Sequence, residues 1–209
     1  MTRSRRTLGS ALVATLALVA ACDGGSHQAE FRLDAAAEAP FRGQKLAEFS
    51  LVAHTGRAVH LADVLGQPAV VSFIFTTCTG PCPRVSGQLA RVQERLAATP
   101  VRLFSFSVDP ETDTPEVLAN YASSFGARSD RWWFLTGEPS EIDGVLRSAS
   151  LPALAKNPAA ELGMQVTHST RLIVLDAAGF VRGYYDGESD SGAAAAADRA
   201  EWLAVHPGR

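Results

Sequence analysis

The chain has few cysteines, little net charge and no internal repeat. Its 209 residues contain three cysteines, and the formal net charge is −3. Because nucleic-acid-binding proteins usually carry an excess of positive charge, this balance argues against a nucleic-acid partner. The hydrophobic fraction of 46% is enough for one sizeable core. We therefore expect a single folded domain with a tail.

An apolar run near the N-terminus, from Leu8 to Ala21, follows three arginines that lie within the first six residues. A basic segment, a short apolar stretch and small residues at its end are typical of a secretory signal. The run is too short and too rich in small residues for a membrane-spanning helix. Because Cys22 follows Val19-Ala20-Ala21, the junction resembles a bacterial lipobox, which predicts acylation of Cys22. The alternative is an ordinary signal that is cleaved nearby and leaves Cys22 as a thiol.

These features divide the chain into a signal peptide (residues 1–21), a tether (22–42) and a folded domain (43–209). Residues 23–40 are rich in Gly, Ala and Glu and have little apolar periodicity, as expected of a tether. A lipid on Cys22 would attach an otherwise soluble domain to the cell membrane. The sequence thus predicts an exported, lipid-anchored protein on the periplasmic or extracytoplasmic face.

Strand and helix patterns alternate through the predicted domain. We expect strands over 49–52, 58–61, 69–75, 101–108, 132–135, 170–176 and 180–185, helices from 83, from 115, over 140–148 and over 190–205, and a loop over 150–163. This order predicts an α/β fold of the thioredoxin-like type. Its central mixed sheet is flanked by helices, and an N-terminal hairpin extends it.

Cys78 and Cys82 carry the most chemical information in the sequence. The apolar stretch Ala69 to Phe75 runs into the first thiol, and the second lies where the next helix is expected to start, at Pro83. A helix start presents backbone N–H groups and the positive end of the helix dipole, which favours thiolates. Two such thiols can form a disulfide with each other or hold a soft metal ion. Three residues separate the two cysteines (Cys-x-x-x-Cys), whereas two separate them in the Cys-x-x-Cys motif of redox thioredoxins.

Three motifs together resemble the SCO/SenC family of thioredoxin-fold copper chaperones, which serve cytochrome c oxidase assembly. They are Phe75–Pro83, Ser107–Pro115 and Val166–Ser169, and they occur in the order found in that family. The resemblance extends from about Gln44 to the C-terminal helix. One departure is Thr167, which stands where the family commonly has Asp before the His.

The resemblance implies that Cys78, Cys82 and His168 are copper ligands. Physical chemistry agrees, because Cu(I) prefers soft thiolates with an imidazole as a third donor. Redox thioredoxins have a cis-proline in the loop opposite the thiols, whereas this chain has a histidine there and no proline. Asp109, at the end of a predicted strand, is a candidate to support the ligands or contact a partner. The alternative is that Asp109 is an ordinary turn residue.

The predicted function is that of a membrane-tethered copper chaperone. It would take Cu(I), or Cu(II) with an added oxygen donor, and deliver it to the copper-acceptor subunit of cytochrome c oxidase without acting as an enzyme. Alternatively, Cys78 and Cys82 form a redox pair in a thiol–disulfide oxidoreductase that keeps the acceptor's cysteines reduced. An inert disulfide is a further alternative. A peroxiredoxin-like peroxidase is disfavoured, because the Pro-x-x-x-Thr-x-x-Cys pattern is missing.

Replacing the predicted lipidation residue tests the anchor. The Cys22→Ser variant should lose acylation and leave the membrane fraction or remain unprocessed, because serine offers no thiol for the lipid. Membrane fractionation and mass spectrometry measure this. The Cys78→Ser variant is the control and should fractionate as the parent does. A Cys22→Ser variant that fractionates and migrates like the parent would show the lipobox interpretation to be wrong.

Overall fold

The computed structural model describes residues 43–150, 155–156, 166–167 and 169–207. These residues belong to one compact unit. The predictions for the signal peptide, the tether, Cys22 and His168 lie outside the described residues. Within the described ranges, no helix is long and apolar enough to cross a membrane.

The described residues form nine strands and five helices. In chain order these are β1 Ser50–Ala53, β2 Ala58–His60, α1 Leu61–Val64, β3 Ala69–Ile74, α2 Pro81–Arg95, β4 Arg102–Ser107, α3 Pro115–Ser124, β5 Trp132–Thr136, α4 Pro139–Ser148, β6 Ala155–Lys156, β7 Val166–Thr167, β8 Arg171–Leu175, β9 Val181–Asp186 and α5 Asp190–Val205. The predicted strands and helices are all present. The predicted loop over 150–163 contains β6, which pairs with β7.

Seven strands form one mixed sheet in the order β2-β1-β5-β4-β3-β8-β9. The pairs β3/β4 and β4/β5 are parallel, whereas β8 is antiparallel to β3 and the hairpin β1/β2 joins through the antiparallel pair β1/β5. All six residues of β3 are buried, as its continuous apolar sequence predicts for a central strand covered on both faces. The predicted thioredoxin-like fold with an N-terminal hairpin is confirmed.

The parallel pairing places the functional segments at one end of the sheet. Parallel strands end on the same side, so the chain leaves β3 and β4 at a common edge, which we call the thiol edge. The thiol segment, residues 75–80, follows β3 at this edge, and residues 108–114 follow β4. Because β8 runs antiparallel to β3, with Val71 opposite Ile173, β8 begins at the same edge.

Helix α2 begins at Pro81, two residues before the position predicted from the sequence. Proline is favoured in the first turn of a helix, because its missing N–H has no partner there in any case. Cys82 therefore lies inside the first turn. Apolar residues recur at helical spacing along this helix, and Val85, Leu89 and Val92 are buried in the core.

A chain of polar side chains crosses the core beneath the site. Ser72 of β3 and Ser105 of β4 are paired in register, and their hydroxyl oxygens are 2.8 Å apart. The indole N–H of Trp132 donates to the Ser105 hydroxyl at 2.9 Å. All three side chains are fully buried. Because each finds a partner, the core accepts them without the cost of an unpaired buried group.

Two helical glycines allow a matched test of packing. A Cβ at Gly192 of α5 would overlap the backbone carbonyl of Asp186, whereas a Cβ at Gly144 of α4 would meet no neighbouring atom outside its own helix. Gly192→Ala should lower the free energy of unfolding by about 1–3 kcal/mol through steric strain. Gly144→Ala should raise it by up to about 1 kcal/mol, because alanine is the better helix former. Denaturant unfolding measures both values, and equal effects of the two substitutions would contradict the described packing.

Candidate functional site

The turn after β3 and the first turn of α2 hold the two predicted ligand thiols. The Cys78 N–H donates to the carbonyl of Phe75 at 3.3 Å, which folds the chain back directly after the strand. Cys82 follows in the first turn of α2. Both residues are thiols with no disulfide between them. Cys78 is 6% exposed and Cys82 is fully buried.

The environment of Cys82 favours its uncharged form. Burial raises the pKa of the Cys82 thiol, and a backbone hydrogen bond with Phe75 opposes this. A hydrogen bond with Cys78 and the charges of Cys78 and Asp113 raise the pKa further. The sequence predicted that the helix start favours thiolates, but at Cys82 the loss of water outweighs it. A bound cation could neutralise charge here in the place of solvent.

Asp113 is a completely buried carboxylate at the thiol edge. It accepts hydrogen bonds from the hydroxyls of Thr76 and Ser107, each at 2.5 Å. The Thr76 N–H also lies 3.3 Å and 3.2 Å from its two oxygens. Burial raises the pKa of Asp113, and these hydrogen bonds oppose the rise. Sequence reasoning singled out Asp109 but not Asp113, and the signal that could have found Asp113 is the pair of hydroxyl residues at the two neighbouring strand ends.

Asp109 lies at the same edge and shapes the turn after β4. Its N–H donates to the Ser107 hydroxyl at 3.1 Å, and its carbonyl accepts from the N–H groups of Thr112 (3.0 Å) and Asp113 (2.9 Å). It is partly exposed. The turn role is therefore observed, and a role of its side chain in ligand support or partner contact stays a prediction.

Tyr121 of α3 is a further polar group near the thiols. Its hydroxyl is 3.1 Å from the hydroxyl of Ser86 on α2. Burial raises the pKa of Tyr121, the Ser86 hydrogen bond opposes the rise, and the charges of Cys82, Cys78 and Asp113 add to it. Sequence reasoning did not single out Tyr121, because its position near the thiols depends on the packing of α3 beside α2.

The described residues contain two of the three predicted copper ligands. His168 lies outside them, and within the described part of the chain no group of three His, Cys, Asp or Glu side chains is arranged to hold a metal. Ser169 and Thr170 are described, and Thr170 accepts from the Gly187 N–H at 3.1 Å. Both directly precede β8, which begins at the thiol edge. The topology thus brings the described neighbours of His168 to the edge that holds the thiols.

Comparison with known sequences points to one family. The sequence model of the SCO1/SenC family matches residues 37–204. The SCO1 protein homolog of Bacillus subtilis (strain 168) is 34% identical over 142 residues, which are 66% of this chain and 72% of that protein. For two other curated relatives, the matched segment spans 52% and 57% of the relative.

Comparison with solved structures shows the same fold. A SCO1/SenC family lipoprotein from Bacillus anthracis str. Ames is 27% identical with a TM-score of 0.70, over 77% of this chain and 95% of that chain. BsSco is described with a disulfide switch and as a member of the Sco family of cytochrome c oxidase assembly proteins. It is 28% identical with a TM-score of 0.67, over 77% of this chain and 94% of that chain. Three Sco structures with copper bound, 22–24% identical with TM-scores of 0.59–0.64, share the fold.

The two thiols should differ in reactivity. In the reduced, metal-free chain, a limiting amount of iodoacetamide should alkylate Cys78 before Cys82. Cys78 is the more exposed of the two, and burial raises the pKa of Cys82 and so depletes its thiolate. Peptide mass spectrometry at successive times measures the order. In the denatured chain, the control, both should react at similar rates, and earlier alkylation of Cys82 in the folded chain would contradict the described burial.

Proposed function

Because this chain belongs to the SCO1/SenC family, we propose that it is a membrane-tethered copper chaperone that binds copper through Cys78, Cys82 and His168. The observation that carries the proposal is the pair of unbridged, buried thiols at the thiol edge. Copper(I) prefers soft thiolate and imidazole donors and needs few of them. The buried setting supports the same choice, since a monovalent cation offsets the charge of thiolates that have lost water.

The partial exposure of Cys78 suggests how copper leaves the site. A thiolate of an acceptor can approach copper from the side of Cys78, the more exposed thiol, while Cys82, in the first turn of α2, is fully buried. The acceptor thiolate then takes the place of Cys78 on the metal, and copper passes on by successive ligand exchange with no change in oxidation state. The proposed acceptor is the copper-binding subunit of cytochrome c oxidase, in keeping with the assembly role stated for BsSco.

A lipid anchor would place this exchange next to a membrane-bound acceptor. The proposal follows from the lipobox-like junction at Cys22 and the tether at 22–42. The lipoprotein from Bacillus anthracis supports it, as a family member that is named for its lipid. Residues 43–209 then form the copper-binding domain on the outer face of the membrane.

A thiol–disulfide oxidoreductase is the second candidate, favoured by the close, unbridged thiols and by the disulfide switch described for BsSco. In this reaction Cys78 and Cys82 would pass two electrons and two protons to a disulfide of the acceptor and become a disulfide themselves. The imidazole of His168 is not required for that exchange. Its requirement therefore separates the two candidates.

Copper titration of the purified, reduced chain tests the chaperone proposal. The parent should bind one Cu(I) per chain, and Cys78→Ser or Cys82→Ser should abolish tight binding, since each removes a soft donor. His168→Ala should weaken binding by about tenfold or more and leave the fold intact. Competition with a chromogenic Cu(I) chelator measures the affinities, and circular dichroism checks the fold.

His206→Ala is the matched control for the histidine substitution. His206 is exposed and stacks on Trp202, so its loss should leave copper binding unchanged. Unchanged copper affinity in both cysteine variants and in His168→Ala would overturn the chaperone proposal. Strong disulfide-reductase activity that survives His168→Ala would favour the second candidate instead.

A further inference from the structure

We infer that Asp113 is a positioning residue that holds the thiol segment, and with it Cys78, in the arrangement that binds copper. The inference rests on the proposed copper function. It states that one buried carboxylate keeps the thiol segment in the position that copper binding requires. Helix α2 and strand β4 separate Asp113 from the thiols in sequence, and the parallel pairing of β3 and β4 brings it to the segment that contains Cys78.

The contacts of Asp113 join the ends of two strands. One oxygen accepts from the hydroxyl of Thr76, just beyond β3, and the other accepts from the hydroxyl of Ser107, the last residue of β4. The Thr76 N–H faces both oxygens. Hydrogen bonds to a carboxylate are stronger than those between neutral groups. The carboxylate therefore fixes both the side chain and the backbone of Thr76 relative to β4.

Thr76 is two residues from Cys78, and the side chains of the thiol segment differ in packing: Phe75 and Cys78 are buried. Thr77 and Thr79 are exposed, so they bury no surface that would hold the turn. Thr76 is the second residue of the turn that the Cys78 N–H closes on the Phe75 carbonyl, so its hydrogen bonds to Asp113 anchor that turn. A change in the position of Thr76 would therefore move the sulfur of Cys78 relative to Cys82, which is held by α2.

A general structural role does not account for the direction of these contacts. Asp113 precedes the first residue of α3 by two positions, where a carboxylate could serve the helix start. That start is instead capped by Thr114, whose hydroxyl accepts from the N–H of Val117 at 3.3 Å. The Asp113 side chain turns to Thr76 and Ser107, so its complete burial serves the thiol segment.

The test is Cu(I) affinity and the Cu(II)–thiolate absorption of the purified chain with Asp113→Asn. Asparagine keeps the size of the side chain, but only one of its two terminal atoms can accept a hydrogen bond. The variant therefore cannot accept from both the Thr76 and the Ser107 hydroxyls. We expect copper binding about 10–100-fold weaker, the range found when groups that orient ligands are lost, with a shifted thiolate-to-copper absorption band. Stoichiometry should remain one copper per chain, because both thiols are present.

Two Thr76 variants test the same contact from the other side. Thr76→Val removes the hydroxyl and should weaken copper binding in the direction of Asp113→Asn, whereas Thr76→Ser keeps the hydroxyl and should bind as the parent does. Combining Thr76→Val with Asp113→Asn should cost less than the sum of the separate losses, because both remove one interaction. These variants also serve if Asp113→Asn does not fold.

Asp176→Asn is the control for lost stability. Asp176 accepts from the N–H groups of Ala178 and Phe180 in the turn between β8 and β9, at the opposite end of the sheet, so its loss should leave copper affinity and absorption unchanged. Parent-like affinity and absorption in both Asp113→Asn and Thr76→Val would overturn the inference. If the parent itself binds no copper, or binds it equally well without Cys78 and Cys82, the proposed function fails instead.

Discussion

β3 is an interior strand of the sheet, with β4 parallel on one side and β8 antiparallel on the other. Every feature of the site depends on this arrangement. The chain leaves β3 and β4 at one edge and enters β8 there, so three segments that are far apart in sequence meet. Aromatic packing beneath the edge holds the strands, with Phe106 stacked on Phe73 at 5.5 Å and touching Phe49 at 5.4 Å.

Burial then determines the chemistry of the groups at this edge. Two thiols, a carboxylate and a tyrosine share a region from which water is largely removed, and for Cys82, Asp113 and Tyr121 burial is the main reason for a raised pKa. Each negative charge that forms there makes the next less favourable. A soft cation relieves this repulsion and bonds directly to sulfur, which links the packing of the fold to the proposed copper function.

The polar groups at this edge differ in burial, and their structural roles differ accordingly. Cys78 keeps a small exposed fraction of 6%, as the proposed exchange with a partner requires, whereas Cys82 and Asp113 are fully buried. Ser107 links two acidic residues after β4, since its hydroxyl donates to the Asp113 carboxylate and accepts from the N–H of Asp109. The acidic residues after β4 therefore differ in role although they are four residues apart: Asp109 shapes an exposed turn, and Asp113 faces the thiol segment.

The order of strands and helices could be predicted from the sequence, because periodicity, capping residues and turn residues act over short distances. Thr114 with Pro115 marked the start of α3, and the predicted span of α5 agrees with the observed Asp190–Val205. Helix α2 starts two residues before the position predicted at Pro83, because Pro81 already occupies the first position of the helix. The thiol pair and the family resemblance could also be recognised from the sequence, because they depend on residue type and spacing.

The sequence by itself determined which residues are the candidate ligands, the strand that precedes the thiols and the thioredoxin-like order of elements. Tertiary structure alone decided that Asp113 is buried against Thr76 and Ser107, that Tyr121 approaches the thiols, and that Cys82 is more deeply covered than Cys78. The reason is physical: hydrogen bonds between strand ends and the loss of water around a side chain depend on which segments become neighbours, and local sequence patterns do not contain that information.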